Sequence, residues 1–165
     1  PVTELVTGVD LVKEQLRLSS GEELGYAFDD LNTRGWAIEC RINAEDPSRN
    51  FLPCPGTIER YRPPAGFGVR VDSHLYQGYE LPVYYDSLIA KIITHADDRD
   101  TALARMRQAL DELVVEGIRT NTALHRELVR DASAADGRFV VAAGQDTGML
   151  QSYRVQSDGS LSSVD

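Results

Sequence analysis

Apolar and polar positions alternate from Arg34 to Asp46, RGWAIECRINAED. Trp36, Ile38, Cys40 and Ile42 fall on one side, and Ala37, Glu39, Arg41 and Asn43 on the other. Successive strand residues point to opposite faces, so the pattern predicts a strand over Arg34 to Asn43 with one buried and one polar face. A helical period precedes it: Leu5, Val9, Val12 and Leu16 predict a helix over 3–20, with Gly8 kinking or dividing it and Gly21 as its stop. Residues 22–33 read as a loop with a short strand or turn.

Beyond the strand, Pro47, Pro53, Pro55, Pro63 and Pro64 restrict pairing to short pieces, because proline lacks a ladder donor. Gly56–Tyr61 and Gly68–Asp72 are the predicted pieces, joined by a stiff turn that exposes Phe67 beside Arg70. Leu88-Ile89-Ala90-Lys91-Ile92-Ile93 reads as a mostly buried strand. Asp98 or Asp100 caps a helix predicted to reach about Glu116, its apolar stripe being Ala102, Leu103, Met106, Leu110, Leu113 and Val114. Gly117 ends it. Ile118 is expected to start a short strand, and Thr120-Asn121 to cap a last helix to about Arg130. Phe139–Ala143 and Met149–Val155 are strand-like, with Gln145-Asp146-Thr147-Gly148 as a hairpin turn and Ser157–Ser160 as a second turn. The predicted class is α+β: an antiparallel-rich sheet with flanking helices, then a C-terminal β-hairpin tail. The domain division expected is 1–133 and 134–165.

Composition narrows the partners. The 165 residues, 42% apolar and 26% charged, suffice for an ordinary domain core. A net charge of −9, from 17 basic and 26 acidic residues, argues against nucleic acid or an anionic membrane as partner. No apolar run is long enough to span a bilayer, and no secretory signal is visible, so a cytoplasmic setting is expected. Pro1 is not an initiator, and a longer parent chain is expected. The two cysteines, Cys40 and Cys54, lack metal-ligand spacing, and no zinc signature joins them to His74, His95 and His125. No glycine-rich phosphate loop occurs. The row Glu39, Arg41, Asn43 is either the solvated side of an antiparallel strand or a means of presenting a fixed guanidinium to a cleft.

From Pro1 to about Arg130 the chain resembles the C-terminal domain of biotin carboxylase. The segments that carry the resemblance are PVTELVTGVDLVKEQL at 1–16, RGWAIECRINAEDP at 34–47, FLPCPGTIERY at 51–61, GFGVRVDS at 66–73, YYDSLIAKII at 84–93, RDTALARMRQAL at 99–110 and GIRTN at 117–121. The family serves acetyl-CoA carboxylase, and thus fatty acid biosynthesis, as well as propionyl-CoA, methylcrotonyl-CoA and pyruvate carboxylases.

The resemblance implies a ligase that uses MgATP to activate bicarbonate and carboxylates biotin on a carrier protein. A carboxyltransferase would be the downstream partner. It implies that Arg41 is catalytic and faces bicarbonate and the biotin ureido oxygen. It also implies that Asp86 is a carboxylate near the same cleft and that Phe67 and Arg70 form a homodimer contact. No metal ligand is assigned. The family's nucleotide and metal sites, with a Glu-x-Asn-x-Arg motif, lie upstream of the position of Pro1. The 165 residues alone are therefore expected to be inactive.

The segment from Ala132 departs from the family and resembles one blade of a lactonase-type β-propeller. A fused, artefactual or divergent tail is expected, and a single blade cannot form a lactonase site. The competing function is a non-catalytic dimerisation or assembly fragment of a truncated or chimeric product.

Overall fold

The computed structural model describes residues 1–134, 139–143, 150–155 and 161–164. In chain order the elements are α1 (Val2–Thr7), α2 (Leu11–Ser19), a 3-10 turn at Phe28–Asp30, β1 (Trp36–Asn43) and β2 (Glu45–Asp46). A second 3-10 turn, Pro47–Arg49, leads to β3 (Leu52–Pro53), β4 (Gly56–Thr57), β5 (Arg60–Arg62), β6 (Val69–Ser73) and β7 (Glu80–Leu81). Then come β8 (Leu88–Ala96), α3 (Arg99–Glu112), β9 (Val114–Glu116), α4 (Thr122–Ala134), β10 (Phe139–Ala143), β11 (Leu150–Val155) and β12 (Leu161–Val164).

The central sheet has the order β1-β8-β6, all antiparallel. Cross-strand partners share a face, so Cys40, Ile92 and Val71 line one side together with Ile42 and Ala90. This side meets α3, whose Ala102, Leu103, Met106, Ala109 and Leu110 are buried. Burying each large aliphatic chain here contributes about 1.5–3 kcal/mol. Thr94 is fully buried on the same face, and its hydroxyl donates to the Ala102 carbonyl at 3.0 Å, so the polar group has a partner.

Of the two outcomes expected at Gly8 the second holds, while other boundaries differ from the sequence expectation, the strand expected over Gly56–Tyr61 being split into β4 and β5. Gly8 divides the first helix outright: at φ 74° it ends α1 by a backbone bond from its N–H to the Glu4 carbonyl at 2.8 Å. Asp10 then caps α2 by accepting from the Lys13 N–H. The stripe of α2 is not covered, Val12 and Leu16 being 61% and 68% exposed.

The third helix begins where expected, with the Asp98 carboxylate accepting from the Thr101 N–H and hydroxyl. It stops at Glu112, however, because Val114–Glu116 pairs as β9 with Arg60–Arg62. Arg126 of α4 covers the end of α3 by donating twice to the Leu110 carbonyl. The strand expected at Ile118 therefore lies before it. Gly117 follows at φ 99°, where a Cβ would strike the Thr57 carbonyl.

Trp36, expected on the buried face, is 53% exposed. It pairs with Ala96 at the end of β1, whereas β6 reaches only as far as Thr94 on β8, so no third strand flanks it. The helix α4 runs to Ala134, one residue past the expected domain boundary. The expected tail strands occur as β10 and β11, paired antiparallel, and β12 adds a third. Both expected turns between them, and Met149, lie outside the described residues.

Met106 is wholly inaccessible within this core. Met106→Ala is expected to cost about 2–5 kcal/mol of stability, seen as a lower denaturant midpoint with an unchanged slope.

Candidate functional site

The face of the sheet opposite α3 is polar. Arg41, Lys91 and Asp72 stand in register across β1, β8 and β6, and Glu39, Ile93 and Arg70 form the next row. Helix α1 lies at this face, since its Glu4 carboxylate meets the Arg70 guanidinium at 3.2 Å. Ile93 is completely buried despite its polar neighbours.

The two arginines differ sharply. Arg70 grips Asp72 through two parallel hydrogen bonds of 2.8 and 2.9 Å, besides its contact with Glu4. The Arg70 hydrogen bond holds the Asp72 carboxyl below the usual carboxylate range. Arg41 is exposed, and its guanidinium has no hydrogen-bond or ion-pair partner among the described residues.

The backbone at Arg41 is held as firmly as its guanidinium is open. The edge of β1 away from β8 is closed by the start of α4. Asn121 Nδ2 donates to the Arg41 carbonyl at 3.2 Å, and Asn121 Oδ1 accepts from the Asn43 N–H at 2.9 Å. The Asn121 backbone N–H donates to the Asn43 carbonyl at 3.2 Å. His125 Nε2 lies 2.8 Å from the Arg41 carbonyl. A carbonyl only accepts, so the proton of the neutral ring resides on Nε2. Burial pushes the His125 imidazole below the usual histidine range, opposed by this bond.

A register shift between Ile42 and Asn43, one residue past Arg41, leaves Ile89 of β8 unpaired. Bulges of this kind redirect side chains near functional sites. Just beyond it, Asp86 sits in the turn leading into β8, where its Oδ1 accepts from the Leu88 N–H at 2.7 Å. Leu88 pairs with Asn43, so Asp86 lies off the Asn43 end of β1. Asp86 lines a cleft of about 280 Å³ with Val83, Tyr85, Ser87 and Pro53; Arg41 does not line it. The Ser87 hydroxyl and the Asn43 amide both donate to Glu45 Oε1, tying this turn to β1 and β2.

Phe67 stands elsewhere, on the turn before β6. It is 90% exposed, and the Arg105 guanidinium lies 5.2 Å from its ring centre. Phe67 and Arg70 line one cleft together with Arg105, and neither lines the Asp86 cleft. Cys40 is buried and its thiol is pushed up to about 12, an inert core group. Among the described residues no cluster of histidine, cysteine and carboxylates could hold a metal ion.

The sequence reading did not assign a site role to Asn121, His125, Glu45 or Ser87. GIRTN contributed to the resemblance, but nothing local in it reveals a bond to a residue 80 positions away.

The class is thus an α+β domain whose central antiparallel sheet presents an arginine, unpaired among the described residues, from a strand closed at its edge by a helix start. The family model of the biotin carboxylase C-terminal domain matches residues 39–152, and the chain belongs to that family. The biotin carboxylase of Pseudomonas aeruginosa is 61% identical over 137 residues, covering 83% of this chain and 30% of the relative. Biotin carboxylase 1 of Bacillus subtilis is 52% identical over 155 residues, covering 94% and 33%. The solved biotin carboxylase domain dimer of Hydrogenobacter thermophilus 2-oxoglutarate carboxylase, in complex with MgADP, ADP and bicarbonate, superposes with a TM-score of 0.80 at 48% identity. That superposition covers 84% of this chain and 30% of the other. The chain spans about a third of the length of these curated relatives.

A histidine whose folded pKa is depressed binds its proton less readily than in the unfolded chain. Its contribution to stability is complete above the unfolded value near 6.5 and is lost as pH falls through that value toward the folded one. Stability is expected to begin to decline as pH falls through about 6.5, before the depressed carboxylates Asp46, Asp72 and Asp98 titrate. His125→Gln should flatten that first decline in urea titrations run across pH.

Proposed function

We propose that this chain is the C-terminal part of a biotin carboxylase, which carboxylates carrier-bound biotin with bicarbonate and MgATP. The observation that carries the reading is Arg41, an exposed guanidinium without a partner among the described residues, on a strand held fixed at that residue. A planar guanidinium can hold bicarbonate by two parallel hydrogen bonds. The same donors can stabilise negative charge developing on the biotin ureido oxygen as a ring nitrogen becomes nucleophilic. The likeness to a domain solved with MgADP and bicarbonate supports these substrates.

In this reading ATP would supply the phosphoryl group that turns bicarbonate into carboxyphosphate, leaving ADP. Breakdown of the carboxyphosphate would give carbon dioxide and phosphate, and biotin would supply the ring nitrogen that takes up the carbon dioxide with loss of its N–H proton. Nucleotide and magnesium are held by an upstream ATP-grasp region. Arg41 orients the anion and the ureido oxygen. Asp86 supplies a carboxylate at the same end of β1. A biotin carrier and a carboxyltransferase are the partners, in a cytoplasmic setting. The strands β10, β11 and β12 pair with one another and not with the central sheet, which supports reading 134–165 as an appended unit.

In the full-length enzyme containing this segment, Arg41→Ala is expected to lower biotin carboxylation on the order of 10²–10³-fold. The isolated 165 residues should show no bicarbonate-dependent ATP hydrolysis. Carboxylation undiminished by Arg41→Ala would overturn the catalytic reading.

A second reading, a dimerisation fragment without chemistry, is favoured by the near-complete exposure of Phe67. The dimeric state of the similar Hydrogenobacter domain supports a homodimer in either case. Arg70→Glu breaks the bidentate bond to Asp72 and sets like charges together. It is expected to shift sedimentation toward monomer, whereas Arg41→Ala should not.

A further inference from the structure

We propose that Asn121 and His125 are positioning residues for Arg41, an inference that rests on the function just given. Strands at a sheet edge leave unpaired N–H and C=O groups, and their backbone is correspondingly free to shift. On β1 that edge is closed at residues 41 and 43 by side chains and not by another strand. Asn121 copies a strand partner: its side chain donates to the Arg41 carbonyl and accepts from the Asn43 N–H, while its backbone N–H reaches the Asn43 carbonyl. His125 occupies the second acceptor position of the Arg41 carbonyl at 2.8 Å. Its own backbone N–H is anchored on the Asn121 carbonyl, so the two groups move as one unit at the start of α4.

Two donors thus converge on the one carbonyl that belongs to the residue with the open guanidinium. Asn121 is buried, so its bonds are shielded from water, which would otherwise replace them. The register shift between Ile42 and Asn43 makes such closure necessary, because the ladder to β8 is irregular there. Fixing the carbonyl fixes the plane from which the Arg41 side chain leaves the strand. Among the described residues the guanidinium has no partner of its own to do this.

The test uses the full-length enzyme and steady-state biotin carboxylation. His125→Leu removes one donor, His125→Ala guards against a packing effect of leucine, and His125→Gln restores an N–H of similar reach. Misplacement of about 1 Å can cost 10²-fold, so His125→Leu and His125→Ala are each expected to lower kcat about tenfold or more. The KM for ATP should stay unchanged, and His125→Gln should remain within about threefold of the parent enzyme.

In an Arg41→Ala background the same His125→Leu change is expected to alter the residual rate by less than about twofold, since it acts only through Arg41. Equal losses in both backgrounds would mark a merely structural contact and overturn the inference. So would unchanged kinetics in His125→Leu and His125→Ala. If the parent enzyme fails to carboxylate biotin, or Arg41→Ala retains full activity, the functional reading itself has failed and the inference falls with it.

Discussion

Strand β8 is the constraint on which the domain depends. Six of its nine residues, Ile89, Ala90, Ile92, Ile93, Thr94 and Ala96, are buried. It can be satisfied only with a strand on each edge and cover on each face. β1 and β6 supply the edges, and α3 supplies the apolar cover. The charged face is closed differently, with α1 and the Arg70 ion pairs standing over Ile93. Remove the burial of β8 and neither arginine has a platform.

The polar face shows how one sheet assigns two fates to the same side chain. Arg70 stands in a bidentate bond with Asp72, its neighbour two positions along β6, and Glu4 reaches it from α1. Its fork is already engaged, which suits a structural or interface role. Arg41 faces Lys91 across the ladder, a like charge that cannot pair with it. Among the described residues the register therefore leaves the Arg41 guanidinium unpaired, as the proposed binding of an anion requires. A charge-assisted bond to such an anion is worth about 1.5–3 kcal/mol, more than a neutral contact would provide.

The cleft lined by Asp86 and the exposed Phe67 turn are separate surfaces joined through the same sheet. The Glu45 carboxylate, by accepting from Ser87 and Asn43, couples the Asp86 turn to the end of β1. On the other side, β6 begins directly after the Phe67 turn, and Arg105 of α3 braces it. The proposed chemical site and the proposed assembly surface are compatible in a small domain, because one three-stranded sheet holds both.

The sequence by itself determined the elements whose information is local. Alternation placed Arg41 on the polar face of β1, the apolar run marked β8, and the pair Asp98 and Asp100 marked the start of α3, where the structure uses Asp98 as the cap. Tertiary structure decided the rest. The helix stripe continued through Leu113 and Val114, yet Val114–Glu116 became a strand because Arg60–Arg62 offered it a partner. Trp36 fitted the apolar face, yet the shorter β6 left it uncovered. Asn121 looked like a cap and His125 like a scattered histidine. Their bonds to Arg41 span 80 and 84 residues, and no local spacing encodes them. Periodicity reports which face a residue takes within its own element. Which backbone group meets it from another element is settled only when the elements pack.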